Sequence, residues 1–157
     1  MKLFINRAAR MATLTLLLLL GISSSAWGAS SRTFVSTSGL DTNACGPTAP
    51  CRTFSAALAL TSAGGEIVVL SSGGYGPMTI TQSVSIVAAG VHPSISVSSG
   101  DAIGINAPSA TVNLSGLALI GEGSATNGLH IVNASSVVIS GMSIEGFQNG
   151  INALIPF

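Results

Sequence analysis

The run LSGLALIG, residues 114–121, returns as ISGMSIEG, residues 139–146, and this repetition is the strongest indication of the fold in the sequence. The two copies lie about 25 residues apart, a period typical of the coils of a solenoid protein. A shorter match follows each copy, Asn127-Gly128-Leu129 and then Asn149-Gly150-Ile151, and the segment before it is three residues shorter in the second copy. A change of length of this kind is expected in a loop.

Apolar side chains alternate with Ser, Gly, Asn and Ala through both copies, as in Val112-Asn113-Leu114 and Leu117-Ala118-Leu119. A period of two is typical of strands that bury one face. Copies stacked in parallel about 4.8 Å apart would bury a continuous column of apolar side chains. The sequence therefore predicts an all-β fold, a parallel β-helix of about three coils. An antiparallel sandwich or barrel of short strands is the alternative, and the preserved register of the copies argues against it.

Residues 1–28 are predicted to be a secretory signal peptide. A basic region precedes an apolar stretch at residues 11–22 and small residues at 23–29. Cleavage is expected after Gly28, with Ala26 and Ala29 as alternatives. The apolar stretch is shorter than the roughly 20 residues that span a bilayer. The mature chain is thus expected to have no membrane span and to be secreted, or held in the periplasm or at the cell surface.

The mature chain is weakly acidic. Arg32 and Arg52 remain after residue 28 against five carboxylates, a net charge of 2 − 5 = −3. A chain with so few basic residues cannot neutralise a run of phosphates, so no nucleic-acid partner is expected.

Cys45 and Cys51 form an even pair at short spacing in an exported chain, which predicts a disulfide. The alternative, a metal or redox pair, lacks further ligands, because His92 and His130 are remote and are expected to be surface or corner residues. Gly73 to Met78 resembles the calcium-binding repeat of a β-roll, but Met78 stands where the carboxylate is needed. No metal or cofactor is expected.

Residues 53–62 are predicted to form a helix, capped by Thr53, ended by Gly64-Gly65 and followed by a first strand at residues 66–70. Its apolar side would comprise Phe54, Ala57, Leu58 and Thr61. Such a helix suits a lid over the first coil of a β-helix. The predicted organisation is a cap at residues 29–65 that contains the disulfide loop, and coils at 66–157 whose C-terminal end is incomplete.

The segment from Thr33 to Gly76 resembles the N-terminal cap of secreted bacterial right-handed parallel β-helix proteins of the pectate-lyase-like superfamily. The resemblance rests on Phe34-Val35-Ser36, Gly39-Leu40-Asp41-Thr42-Asn43, Pro50-Cys51-Arg52-Thr53-Phe54, Gly64-Gly65-Glu66-Ile67-Val68-Val69 and Gly73-Gly74-Tyr75. It implies a right-handed parallel β-helix. It implies little about activity, because that superfamily contains lyases, hydrolases, esterases, epimerases and adhesins.

The chemistry of such enzymes is not visible in the repeats. Residues 78–157 contain no Arg or Lys, and their carboxylates are Asp101, Glu122 and Glu145. These three are interpreted as surface groups, with Glu122 and Glu145 as weak glycan-contact candidates, and no catalytic residue is predicted. Asn127 and Asn149 match across coils and are predicted to form an amide ladder.

Three functions stay open. The favoured one is a non-catalytic surface, adhesive or glycan-binding module, whose partner would be a polysaccharide or a cell-surface glycan. The second is the N-terminal part of a polysaccharide lyase or hydrolase whose site lies on missing coils, and the third is a truncated product without independent function. The C-terminal end of the predicted coils lacks a cap, so self-association through that end is also expected.

Overall fold

The structure is a computed structural model that describes residues 28–154. Apart from Gly28, the predicted signal peptide lies outside the described residues, as do residues 155–157. Within them the chain forms one helix, α1 (Phe54–Leu60), and the strands β1 (Ser30–Val35), β2 (Thr61–Val69), β3 (Gly73–Gly74), β4 (Met78–Ile80), β5 (Val84–Val87), β6 (Pro93–Asn106), β7 (Thr111–Ser115), β8 (Ala118–Asn133), β9 (Ser136–Ser140), β10 (Ser143–Glu145) and β11 (Asn149–Ala153). No helix in this part of the chain is long and apolar enough to cross a membrane.

The strands build a parallel β-solenoid with three faces. Face 1 contains β1, β2, β5, β7 and β9 in that order. Strands β6 and β8 run through the corner between the other two faces, so that face 2 contains β3, the first parts of β6 and β8, and β10. Face 3 contains β4, the second parts of β6 and β8, and β11.

Every strand pair in residues 28–154 is parallel. From β2 to β9 the chain returns to face 1 at β5, β7 and β9, which makes about three turns. The predicted all-β parallel solenoid is confirmed, and the antiparallel alternative is wrong.

Residues that match between the two copies of the sequence repeat pair with each other on adjacent turns. Leu114 pairs with Ile139 on face 1, and Leu119 pairs with Ile144 on face 2. Gly116 lies at the corner between these two segments with φ of 76°. A Cβ there would approach the Ala88 carbonyl oxygen to 2.5 Å, so both the backbone angle and the space require glycine.

The interior is a stack of apolar side chains from alternate strand positions. Each face contributes columns in which one residue lies above another, and none of the following is more than 1% exposed: Ile67, Ile86 and Leu114 on face 1, Ile95 and Leu119 on face 2, and Ile103 and Leu129 on face 3. Burying each such side chain contributes about 1.5–3 kcal/mol. These columns supply the core that the alternation of the sequence predicts.

Helix α1 packs against β1, β2 and β4 at the N-terminal end of the stack. Thr53 caps it as predicted, since its Oγ1 accepts a hydrogen bond of 3.2 Å from the Ala56 amide. The helix ends at Leu60 rather than Ser62, because Thr61 is already extended and begins β2.

Strand β1 is not predicted from the sequence, in which the first expected strand is residues 66–70, overlapping the second half of β2. It pairs with β2 through Phe34 and Val68. Its sequence SSRTFV contains little apolar alternation, so the strand pattern does not reveal it.

The predicted disulfide between Cys45 and Cys51 is confirmed. Both sulfur-bearing side chains are buried, at 1% and 0% exposure. The loop is tied to β1 because the Phe34 amide donates to the Cys45 carbonyl at 2.8 Å and the Cys51 amide donates to the Phe34 carbonyl at 2.9 Å. The disulfide therefore fixes the segment that leads into α1.

Replacing Cys45 and Cys51 together with alanine is expected to lower the free energy of unfolding by about 2 kcal/mol, because the closed loop no longer restricts the unfolded chain. Urea denaturation followed by circular dichroism measures the change. Thr48→Ala, an exposed substitution in the same loop, is the control and should leave stability unchanged. An unchanged midpoint in the double variant, or two free thiols in exported protein, would contradict the account.

Candidate functional site

Face 3 contains a third copy of the sequence repeat. Asp101 of β6 pairs in register with Asn127 of β8, and Asn127 pairs with Asn149 of β11. Three residues further along, the outward positions of successive turns are Thr79, Gly104, His130 and Asn152. We call Asp101, Asn127 and Asn149 the corner row of face 3, and this row begins with a carboxylate. The second row consists of Thr79, Gly104, His130 and Asn152 and contains a glycine.

The corner row is a continuous chain of hydrogen bonds. The Asn149 Nδ2 donates to Asn127 Oδ1 at 3.1 Å, and the Asn127 Nδ2 donates to Asp101 Oδ1 at 2.6 Å. Asn127 is only 3% exposed, so its amide cannot bond to water. The two hydrogen bonds to Asp101 and Asn149 satisfy it instead. The structure brings Asn127 and Asn149 together, and it adds Asp101 as the first member of the row.

His130 is a partly exposed residue of face 3, and its side chain has a partner on the preceding turn. Its Nδ1 lies 2.7 Å from Asp101 Oδ2, and the two side chains are 25% and 29% exposed. Because a carboxylate accepts, Nδ1–H is the donor, and this bond orients the imidazole ring. Asp101, interpreted from the sequence as a surface carboxylate, is 29% exposed and accepts hydrogen bonds from both Asn127 and His130.

A groove runs between α1 and face 3 and reaches this pair. One part of it, a cleft of about 410 Å³, is lined by Ser55, Pro77, Met78, Thr79, Asp101 and Gly104. The adjoining part, about 250 Å³, shares Ser55 and Thr79 and continues to Thr81 and Gln82. We call the two parts together the α1 groove; the larger part falls within the size range of ligand sites, about 300–1,000 Å³.

The helical wall of the groove is held by hydrogen bonds at both ends of α1. Asp41 Oδ1 accepts from the amides of Arg52 and Thr53 at 2.8 Å, and its Oδ2 accepts from Thr53 Oγ1 at 3.0 Å. At the other end of the helix, Gln82 Nε2 donates to the Thr61 carbonyl at 2.7 Å. These bonds fix α1, and hence Ser55, relative to β4.

Gly104 forms the open part of the groove floor. A Cβ placed there would meet only Thr79, with Oγ1 at 3.5 Å, and its backbone is not in the left-handed region. Neither strain nor crowding therefore requires glycine at this strand position. Glycine inside a strand weakens it and often marks a bulge, a tight bend, or a site where a ligand or another backbone approaches closely.

The α1 groove carries negative charge. Asp101 is the only charged side chain among its lining residues. Arg32 pairs with Glu66 at 2.6 Å, and the Arg52 guanidinium lies 5.7 Å from the centre of the Tyr75 ring, so both described arginines have partners outside the lining. In residues 28–154 no group of three or more His, Cys, Asp or Glu side chains could hold a metal ion.

The two weak glycan-contact candidates lie away from the groove. Glu145 of β10 pairs in register with Ile120, not with Glu122. Glu122 and Glu145 are both exposed, at or near face 2. Neither lines the groove, so the structure does not combine them with Asp101.

Sequence reasoning missed Asp101 and His130 because the first row member is Asp and not Asn. The segment Asp101-Ala102-Ile103-Gly104-Ile105 matches Asn127-Gly128-Leu129-His130-Ile131 once Asp is accepted in place of Asn. That alignment would have placed Asp101 beside Asn127. The groove itself joins α1 to β4 and β6, which no local sequence pattern indicates.

Comparisons of the chain with protein-family models, curated proteins and solved structures find no match.

Proposed function

We propose that this chain is an exported, non-catalytic β-solenoid module that binds a glycan in the α1 groove. The observation that carries the proposal is the groove over Gly104, flanked by the hydroxyl of Thr79 and by the fixed Asp101–His130 pair. The resemblance of residues 33–76 to the caps of secreted, pectate-lyase-like β-helix proteins supports it.

A glycan presents many hydroxyl groups, each of which needs a donor or an acceptor. The groove offers hydroxyls from Ser55 and Thr79 and carboxylate oxygens from Asp101. Since the bonds from Asn127 and His130 already orient Asp101, little side-chain freedom is lost when a ligand binds. This arrangement suits sugar hydroxyls better than a large apolar molecule.

The groove favours binding over hydrolysis. Glycosidases use two carboxyl groups about 5–10 Å apart, whereas the lining residues contain one carboxylate, Asp101. A lyase that uses Arg or Lys as its base would need such a side chain in the lining, which has none.

Export is supported by the composition of residues 1–28 and by the disulfide, because disulfides persist in oxidising compartments. Recovery of the chain from the culture medium or periplasm, with its N-terminus near residue 29, would establish it. Cytoplasmic retention of the uncleaved chain would contradict this part of the proposal.

Self-association is a further part of the proposal, carried by apolar side chains on the last turn. Val138, Ile139 and Ile151 are 51%, 36% and 52% exposed. Stacking of the edges of β9 and β11 on a second copy would bury them. Light scattering of Ile151→Lys should show a lower mass than the parent, whereas Leu40→Lys, at an exposed position 62% accessible near the N-terminus, should not change the mass.

A glycan array probed with the mature chain tests the central proposal. We expect binding to a defined group of oligosaccharides and no cleavage products when the same glycans are incubated with the protein. Absence of binding across plant, bacterial and animal glycans would refute the proposed function. Cleavage of any of them would refute the non-catalytic part.

A further inference from the structure

The charge of the α1 groove limits the kind of glycan that it accepts. We infer that the groove selects amino sugars, whose ammonium group binds Asp101, and rejects uronic acids; this inference rests on the proposed glycan-binding function. Asp101 would then determine which glycans the groove binds, in addition to forming hydrogen bonds within the corner row.

Asp101 keeps acceptor capacity after its internal bonds are made. Its Oδ1 accepts from Asn127 at 2.6 Å and its Oδ2 from His130 at 2.7 Å. Each carboxylate oxygen can accept about two hydrogen bonds, so each has room for one more. Because Asp101 lines the cleft, this capacity faces the ligand.

Nothing in the lining offers a positive charge to an acidic sugar. The lining has neither Lys nor Arg, and the arginines of residues 28–154 contact Glu66 and Tyr75. The whole mature chain, with two arginines and five carboxylates, adds a weak negative field. A uronate would therefore meet repulsion, and an ammonium would meet attraction.

Calorimetric titration of the mature chain with three tetrasaccharides tests the inference. The probes are the glucosamine tetramer, the N-acetylglucosamine tetramer and the galacturonate tetramer, at low salt and neutral pH. We expect the glucosamine tetramer to bind up to about fivefold more tightly than the acetylated one. The galacturonate tetramer should bind most weakly.

Asp101→Asn is the test variant, because the amide can still accept from Asn127 through Oδ1 and donate through Nδ2 to His130 Nδ1 once the imidazole adopts its other neutral tautomer. It should bind the glucosamine and N-acetylglucosamine tetramers with affinities within about twofold of each other, since the charge of a partly exposed pair is gone. Glu145→Gln makes the same charge change away from the groove and should keep the preference.

The outcomes separate the inference from the function on which it rests. Equal affinity of the parent chain for the three tetramers would overturn the amine preference and leave glycan binding intact. Failure of every tetramer and of every array glycan to bind would refute the proposed function itself.

Discussion

Replacing Leu119 with alanine is expected to lower the free energy of unfolding by about 3 kcal/mol. Leu119 is fully buried in face 2, between Ile95 on the preceding turn and Ile144 on the following one. Removing its methyl groups leaves a cavity that the strands cannot close, because parallel pairing on both sides fixes their spacing. Urea denaturation monitored by circular dichroism measures the loss.

Ile144→Ala is the matched control for this experiment. Ile144 occupies the same column one turn later but is only partly buried. Truncating Ile144 should therefore lower the free energy of unfolding by less than truncating Leu119 does. Equal losses at the two positions, or a loss below about 1 kcal/mol at Leu119, would be inconsistent with a solenoid core.

Replacing Gly104 with valine is expected to weaken glycan binding at least tenfold, roughly 1.4 kcal/mol. The side chain would occupy the open floor of the α1 groove beside Thr79. Stability should not fall, because β-branched residues suit strands and the position has neither a left-handed backbone nor a backbone atom in the way. Calorimetric titration and thermal unfolding of the same preparation measure both effects.

Gly74→Val is the control, since Gly74 also lies in a strand with open space around it but belongs to face 2. It should bind glycan like the parent chain. If both variants lose affinity equally, the binding site is not the α1 groove. If Gly104→Val unfolds at a markedly lower temperature, the loss of binding would reflect the fold and not the groove.

The repeated sequence contains most of the information about the fold. Pairs such as Leu114 and Ile139 are predicted from the repeat and are neighbours in the structure, because parallel stacking converts sequence period into register. The disulfide follows from the short spacing of the two cysteines and the expected export of the chain, and the start of α1 follows from its Thr53 cap. Strand β1 could not be predicted, since it gains its conformation from pairing with β2 and not from its own pattern.

The candidate site is less predictable than the fold. The Asn127–Asn149 contact follows from matched asparagines, but the Asp101–His130 pair joins positions 29 residues apart on successive turns. The groove depends on how α1 packs against β4 and β6, which is a tertiary property. Glu122 and Glu145 are two of the three carboxylates in residues 78–157, but the rarity of a residue type does not indicate where its side chains lie in the fold.

Nuclear magnetic resonance titration of isotopically labelled residues 29–157, with the glycan that the array identifies as the tightest ligand, locates the binding site. We expect saturable shifts of the backbone amides of Ser55, Thr79, Asp101, Gly104 and His130, which lie in or beside the α1 groove. The outward residues of face 1, such as Ser85 and Asn113, should not shift. Shifts confined to face 1, or no shifts at saturating glycan, would contradict a glycan site in the α1 groove.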